Sequence, residues 1–141
     1  MPNRRNFTTG NPWEQAAGFS RAVLSGDTIY TAGTVAVDRV GIVQGGNCYE
    51  QCRFICSLLE GVLRQAGATL SDVIQVRCYL IDRNDAEQFT SFMADVFGEI
   101  APAATCVIVS GLFGEGTLAE LEFVARLGPA QIPEPESLSG R

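Results

Sequence analysis

The chain has 141 residues, of which 46% are hydrophobic and 18% are charged, a balance that is typical of one globular domain and excludes wholesale disorder. Its net charge of −6 disfavours nucleic acid as a partner, because phosphates bind to cationic protein surfaces. All ten basic residues are Arg, and the absence of Lys and His excludes Schiff-base chemistry, a P-loop, histidine catalytic relays and histidine metal ligands.

The first part of the chain predicts a β-hairpin. Residues 20–25 and 28–36 form two strands, and Gly26-Asp27 between them suits a tight turn. A Gly-rich loop follows at residues 37–46. No apolar run is long enough for a membrane span, and no apolar core follows the N-terminal arginines as it would in a secretory signal. We therefore expect a cytoplasmic protein without a membrane partner.

A long helix is predicted after this loop. Asn47 can cap it, Glu50 is its capping-box partner, and Gly67 suits its C-terminal end. An odd number of cysteines without a secretion signal indicates free thiols. Three of the five cysteines fall along one face of this helix: Cys48, Cys52 and Cys56. A thiolate metal site and an apolar core stripe both fit this spacing, and the apolar neighbours on the same face favour the core stripe.

The second half predicts a second helix and three strands. The helix runs from Asp85 to Phe97, and the strands cover residues 72–81, 104–110 and 118–127. Alternation along the first of these strands defines one face with Ile74, Val76, Cys78 and Leu80, and a second face with Val73, Gln75, Arg77 and Tyr79. A single domain is expected over residues 1–128, followed by a flexible, proline-rich tail over residues 129–141.

The predicted element order is β-β-α-β-α-β-β, which suits an α+β fold with two helices packed on one face of a mixed sheet. The other face would carry Tyr79, Val73 and Val124 beside charged groups. Because an uncovered apolar face is unfavourable in water, we expect an oligomer in which this face is covered.

Several stretches, spread from residue 7 to residue 127, resemble the YjgF/RidA (reactive intermediate deaminase) family. They are GFSRAVLSGDTIYTAGTVAVD, YEQCRFICSLLEGVLRQAGATLSDVIQVRCYLID, FGEIAPAATCVIVSGL and LAELEFVA. The resemblance implies a chorismate-mutase-like fold with a six-stranded type of sheet, a homotrimer whose sheets form a barrel, and small-molecule clefts between subunits. It also implies cofactor-free, metal-free hydrolysis of enamines and imines, such as 2-aminoacrylate, to 2-keto acids and ammonia.

Three residues keep the family pattern. Glu120 is similar to the acidic residue that positions and activates the attacking water, and it is therefore the expected catalytic residue. Cys106 resembles the cysteine that borders the cleft, and Gly33 resembles the glycine of the hairpin strand that lines it. A solvated or ion-paired role for Glu120 is the structural alternative. Cys106 is not expected to be a nucleophile, because no His or Lys is present to lower its pKa.

Other positions depart from the pattern. In deaminating members an Arg that pairs with the substrate carboxylate follows the Pro-Ala of the penultimate strand, and here that position is Ala104, followed by Thr105. Phe19 stands where many members have Tyr, and Thr90 stands where they have Asn. Arg77 is expected either to reach the cleft as a replacement anchor or to form an ion pair with a neighbouring glutamate.

These departures favour a RidA-like protein that has diverged from 2-imino-acid deamination and binds or transforms another small metabolite. An active enamine or imine deaminase that uses Glu120 to activate water is the first alternative. A protein-interaction role or RNA cleavage is the second, and the acidic composition disfavours RNA.

Overall fold

The computed structural model describes residues 3–132, so the last nine residues of the predicted tail lie outside it. The described residues contain no helix that is long and apolar enough to cross a membrane. Seven strands form one sheet: β1 (Arg4–Phe7), β2 (Ala22–Ser25), β3 (Thr28–Thr31), β4 (Thr34–Val35), β5 (Val73–Leu80), β6 (Ala103–Ile108) and β7 (Ala119–Arg126). The helices are α1 (Pro12–Ala16), α2 (Cys48–Gln65) and α3 (Ala86–Phe97).

The strands lie in the order β1-β2-β3-β7-β5-β6, and β4 pairs with the other end of β7. All pairs are antiparallel except β5 and β6, which are parallel because the chain crosses over through α3 between them. Helix α2 contacts both β7 and α3, and the ring of Phe97 at the end of α3 packs edge-on against Phe123 of β7. The α+β architecture predicted from the sequence is thus confirmed.

Helix α2 begins and ends where its sequence predicts. The Asn47 side chain accepts a hydrogen bond from the backbone N–H of Glu50 at 2.9 Å, and the Glu50 carboxylate accepts one from Gly46 rather than from Asn47. Gly67 follows the C-cap with a φ of +90°, a conformation that favours glycine. The three helical cysteines are buried in the core, the packing that their spacing favoured: Cys48, Cys52 and Cys56.

The expected alternation along β5 is wrong at its start. Val73 is buried and Ile74 is half exposed, the reverse of the prediction. The reason is a shift of register between Val73 and Gln75 in the pairing with β7, which moves the earlier residues to the opposite face. From Val76 onward the strand alternates as predicted, with Tyr79 on the outer face.

Two elements lie in a segment for which no secondary structure was predicted. β1 is an edge strand that carries two exposed arginines, so no apolar alternation marks it. α1 is only five residues long, although Asn11 as its cap and Pro12 at its first position are typical of a helix start. The predicted strand 28–36 is also divided, because the chain leaves β3 at Thr31 and resumes pairing only at Thr34.

Candidate active-site cleft

A cleft of about 1210 Å³ opens beside the ends of β3, β4 and β7. Its walls come from the segment that carries α1, from the loop after β4, and from the last turns of α2. Three of the residues predicted for the site line this one cleft: Phe19, Gly33 and Glu120. A volume of this size suits a small organic molecule.

Glu120 is the acidic group of the cleft that is best placed for acid–base chemistry. It lies opposite Val35 in the pairing of β4 with β7, and its carboxyl group rests against Gly33. A Cβ atom at Gly33 would approach Glu120 Oε1 to 3.0 Å, so the glycine makes room for the carboxyl group. Among the described residues, the Glu120 carboxyl group has no hydrogen-bond partner, and it is only partly exposed.

The surroundings of Glu120 raise its pKa above the ordinary value for Glu. Burial is the largest cause and the negative charge of Glu122 adds to it, whereas the positive charge of Arg21 acts in the opposite direction. A carboxyl group whose pKa moves toward neutrality can accept a proton and return it during one reaction cycle. The local environment therefore gives Glu120 the properties of a general acid–base residue.

Arg21 and Glu14 form a buried ion pair beneath the cleft. Arg21 Nε donates to Glu14 Oε2 at 3.0 Å, and both side chains are more than nine-tenths buried. Arg21 Nη1 donates to the carbonyl of Gly33 at 3.0 Å and to the hydroxyl of Thr34 at 2.9 Å. The pair thereby fixes the backbone on which the Glu120 carboxyl group rests.

The buried carboxylate of Glu14 accepts several hydrogen bonds. Burial alone would raise its pKa, but hydrogen bonds from Thr8, Thr9 and Arg21 outweigh burial and lower the pKa below the ordinary value for Glu. Glu14 therefore remains ionised and keeps the Arg21 guanidinium in place. The sequence alone did not mark these two residues, because a buried ion pair leaves no periodic pattern.

Aromatic side chains line much of the remaining surface. Trp13 and Phe113 are 63% and 90% exposed, which is unusual for side chains of this size. The Phe19 ring lies 5.1 Å from Arg21 Cζ, a cation–π contact that orients the ring at the cleft wall. These surfaces can pack against an apolar or planar part of a ligand.

The other predicted site residues lie away from this cleft in the same chain. Arg77 lies 3.7 Å from Glu122 in an ion pair, and the Tyr79 hydroxyl donates to the same carboxylate. Thr90 is exposed on α3, where its hydroxyl donates to the carbonyl of Ala86. The three remaining predicted site residues lie on β6 and are exposed: Ala104, Thr105 and Cys106.

Strand β6 is exposed along its whole length, including the residues on the side of the sheet where the core lies. Cys106 is paired with Cys78 and Ala104 with Val76, both buried on β5, whereas the two β6 residues are exposed. Although Cys106 is exposed, partial desolvation of its thiol raises the pKa, so the thiol is protonated at neutral pH and is a poor nucleophile.

Comparisons with known proteins agree with this architecture. A family model described as Endoribonuclease L-PSP matches residues 9–127. A RutC family protein of Pyrococcus abyssi is 34% identical over 108 residues, 76% of this chain and 84% of that protein. A RutC family protein of Pyrococcus horikoshii is 33% identical over 120 residues, 84% of this chain and 94% of that protein.

The fold also resembles solved structures. A crystal structure from Mycobacterium tuberculosis is described as a member of the highly conserved YjgF/YER057c/UK114 family. It superposes with a TM-score of 0.80 at 34% identity, covering 88% of this chain and 99% of that one. A Yersinia pestis structure described as belonging to the conserved Rid protein family superposes with a TM-score of 0.78 at 26% identity, covering 88% of this chain and 99% of that one. These superpositions confirm the fold predicted from the sequence.

Proposed function

Since the chain belongs to the YjgF/RidA-type family, whose sequence model is described as Endoribonuclease L-PSP, we propose that it hydrolyses a carbon–nitrogen double bond of a small molecule in the cleft. One observation carries this proposal: the Glu120 carboxyl group lies in the cleft over Gly33, without a hydrogen-bond partner among residues 3–132 and with a raised pKa. A carboxyl group in that state is suited to proton transfer.

In the proposed reaction, ionised Glu120 takes a proton from a water molecule as the water oxygen attacks the C=N carbon. The carbon–oxygen bond forms while the π electrons of C=N move to nitrogen, which takes a proton from solvent. Glu120 then returns its proton to the amine nitrogen of the tetrahedral intermediate. The carbon–nitrogen bond breaks as ionised Glu120 accepts the hydroxyl proton, which it then releases to solvent. The net reaction gives a carbonyl compound and ammonia from one imine and one water.

The substrate is proposed to differ from the small 2-imino acids that the family resemblance suggests. Ala104 carries no charge that could hold a substrate carboxylate. Losing one charge-assisted hydrogen bond costs about 1.5–3 kcal/mol, which is at least a tenfold loss of affinity. The cleft is instead wide and lined by aromatic groups, which favours a bulkier imine.

We further propose that the active form is a homotrimer in which β6 of one subunit borders the cleft of the next. Edge strands that are exposed on both faces are commonly covered by another chain. β6 is such a strand, and it carries three of the five predicted site residues that lie outside the cleft of their own subunit: Ala104, Thr105 and Cys106. An assembly of this kind would join the two groups of residues.

Ammonia release is the test of the proposed activity. Imines would be generated in the assay from alanine and from phenylalanine, with purified RNA as a separate substrate. The wild type is expected to accelerate ammonia release from the bulkier imine, and Glu120→Gln is expected to lower the rate at least 100-fold. The matched control is Glu87→Gln, which changes an exposed glutamate on α3 and should retain the wild-type rate.

Absence of wild-type acceleration on every imine would overturn the hydrolytic proposal, and RNA cleavage in the same preparation would favour the ribonuclease alternative. A second variant tests the substrate class. Ala104→Arg supplies the missing charge and should improve kcat/KM for the imine of alanine by about tenfold or more. Unchanged kcat/KM in Ala104→Arg would show that residue 104 does not contact the substrate carboxylate.

A further inference from the structure

Besides Arg21, which pairs with Glu14, a second arginine lines the cleft. Arg39, in the loop after β4, is exposed and lines the cleft. Among the described residues it has neither a hydrogen-bond acceptor nor an acidic partner within ion-pair distance. A free guanidinium in a ligand-sized cleft is a binding group for an anion.

The acidic neighbour of Arg39 is engaged elsewhere. Asp38 accepts hydrogen bonds from the backbone N–H groups of Val40 and Ile42 at 3.0 and 2.9 Å, and from the side chain of Gln44 at 2.9 Å. The hydrogen bond from the backbone of Ile42 is the largest cause that holds the pKa of Asp38 below its ordinary value. Hydrogen bonds from Val40 and Gln44 add to it and outweigh the opposing effect of desolvation. The Asp38 carboxylate therefore closes the loop through these hydrogen bonds and forms no ion pair with Arg39, although it lines the same cleft.

The Arg39 guanidinium lies next to the backbone of Gly10. A Cβ atom at Gly10 would lie 3.5 Å from Arg39 Cζ, so the guanidinium packs directly on the main chain of this residue. Gly10 has a φ of +83°, which strongly favours glycine at this position. It follows Thr9, whose hydroxyl donates to Glu14 Oε2, the oxygen that also accepts from Arg21. One connected group of contacts thus runs from Arg39 to the backbone beneath Glu120.

Arg21 adds a second donor on the same side. Nε and Nη1 of Arg21 are engaged, whereas Nη2 has no acceptor among the described residues. No side-chain nitrogen or oxygen in residues 3–132 is both sealed from solvent and unpartnered, so this Nη2 keeps some contact with solvent, and Arg21 lines the cleft although its side chain is only 8% exposed. The cleft therefore offers two guanidinium groups, next to exposed aromatic surface of Trp13 and Phe113.

We propose that Arg39, supported by Arg21, is the carboxylate anchor of this cleft and that its ligand is an aromatic carboxylic acid derivative, an inference that rests on the proposed ligand-binding role of the cleft. The ligand carboxylate pairs with Arg39 at the loop after β4. Its ring packs on the aromatic wall formed by Trp13 and Phe113. The anchor then comes from a different part of the chain than Ala104, which explains how a charge-selective cleft persists without an Arg at that position.

A binding measurement tests this inference without requiring turnover. Trp13 is the only tryptophan of the chain and lines the cleft, so its fluorescence reports occupancy there. The probes are 3-phenylpropionate and its neutral amide, 3-phenylpropanamide. Wild-type protein should bind the acid about tenfold or more tightly than the amide, since a charge-assisted pair contributes about 1.5–3 kcal/mol. Arg39→Gln should abolish this preference, and Arg39→Lys should retain part of it.

Arg83→Gln removes an exposed arginine that does not line the cleft and should leave the preference unchanged. Equal binding of acid and amide by the wild type, or an unaltered preference in Arg39→Gln, would overturn the assignment of Arg39. The proposed hydrolysis is judged separately by ammonia release. Charge-selective binding without ammonia release would support Arg39 as the carboxylate anchor and reject the proposed hydrolysis. Ammonia release without charge-selective binding would support the hydrolysis and reject Arg39 as the anchor.

Discussion

The contact between Glu120 and Gly33 makes the cleft sensitive to a single methyl group. The side chain of Glu120 crosses directly over the position where any other residue at 33 would place its Cβ atom. An alanine at residue 33 would place its methyl carbon 3.0 Å from Glu120 Oε1 and 3.1 Å from Glu120 Cδ, so the carboxyl group would have to shift. Its raised pKa depends on the same geometry, because burial in this position is the largest cause of the shift.

We therefore predict that Gly33→Ala lowers kcat for imine hydrolysis by tenfold or more while the protein remains folded. The added methyl group would lie 3.0 Å from Glu120 Oε1 and would displace the carboxyl group. The matched control is Gly111→Ala, whose Cβ atom would meet nothing within 4 Å. Steady-state ammonia release gives kcat, and circular dichroism verifies the fold. A wild-type kcat in Gly33→Ala would contradict the proposed position of the catalytic carboxyl group.

At the scale of single residues, the sequence predicted part of the cleft and missed the rest. Phe19, Gly33 and Glu120 were predicted through the family resemblance, and the structure brings them into one cleft. Glu14 and Arg21 were missed, because sequence alone does not show that an acidic and a basic residue seven positions apart will be buried together. Only long-range packing distinguishes such a pair from ordinary surface charges.

At the scale of elements, the ion pair between Glu14 and Arg21 ties helix α1 to strand β2. We predict that Glu14→Gln lowers the free energy of unfolding by about 3 kcal/mol, because the buried guanidinium loses its counter-charge. Glu60→Gln removes one partner of a largely exposed ion pair with Arg64. It should change the free energy of unfolding by less than about 1 kcal/mol. Urea unfolding of both variants measures the difference.

The contribution of Glu14 to stability also depends on pH in a defined direction. Its pKa is lower in the folded protein than in the unfolded chain, where the ordinary value is 4.5. The stabilisation is therefore complete above that value and is lost as the pH falls through the lower, folded-state pKa. The stability difference between wild type and Glu14→Gln should shrink below about pH 4. A difference that does not change with pH would contradict an ionised Glu14.

Secondary structure was predictable where a residue pattern marks it. The cap and the apolar stripe of α2 determine that helix almost entirely, and the structure reproduces both. β1 was missed because its pairing with β2, rather than its own polar residues, makes it a strand. The start of β5 was wrong because a register shift between Val73 and Gln75 depends on the partner strand β7, which is distant in sequence.

At the scale of the whole molecule, strand β6 is the part of the described surface that most needs a partner. Val107 and Ile108 are 42% and 44% exposed although they point to opposite faces of the sheet. An isolated subunit would present both apolar faces and an unpaired strand edge to water. The proposed trimer covers this strand and places it beside the cleft of a neighbouring subunit.

We predict a particle of about 45 kDa in size-exclusion chromatography with light scattering, three times the mass of the 15.1 kDa chain. Val107→Arg should shift the protein toward the monomer mass, because a desolvated charge at the interface is strongly unfavourable. Glu87→Arg, which places the same side chain on the exposed surface of α3, should leave the mass unchanged. A wild-type monomer at micromolar concentration would contradict the inter-subunit cleft.

The pH dependence of kcat/KM for imine hydrolysis tests the role of Glu120 most directly. Because the pKa of Glu120 is raised, the rate should fall on the acid side at a pH above 4.5, the ordinary value for this group. Glu122→Gln removes the negative charge that raises this pKa, so the acid limb should move to lower pH. An acid limb at or below the ordinary Glu value, or one that does not move in Glu122→Gln, would contradict Glu120 as the acid–base residue.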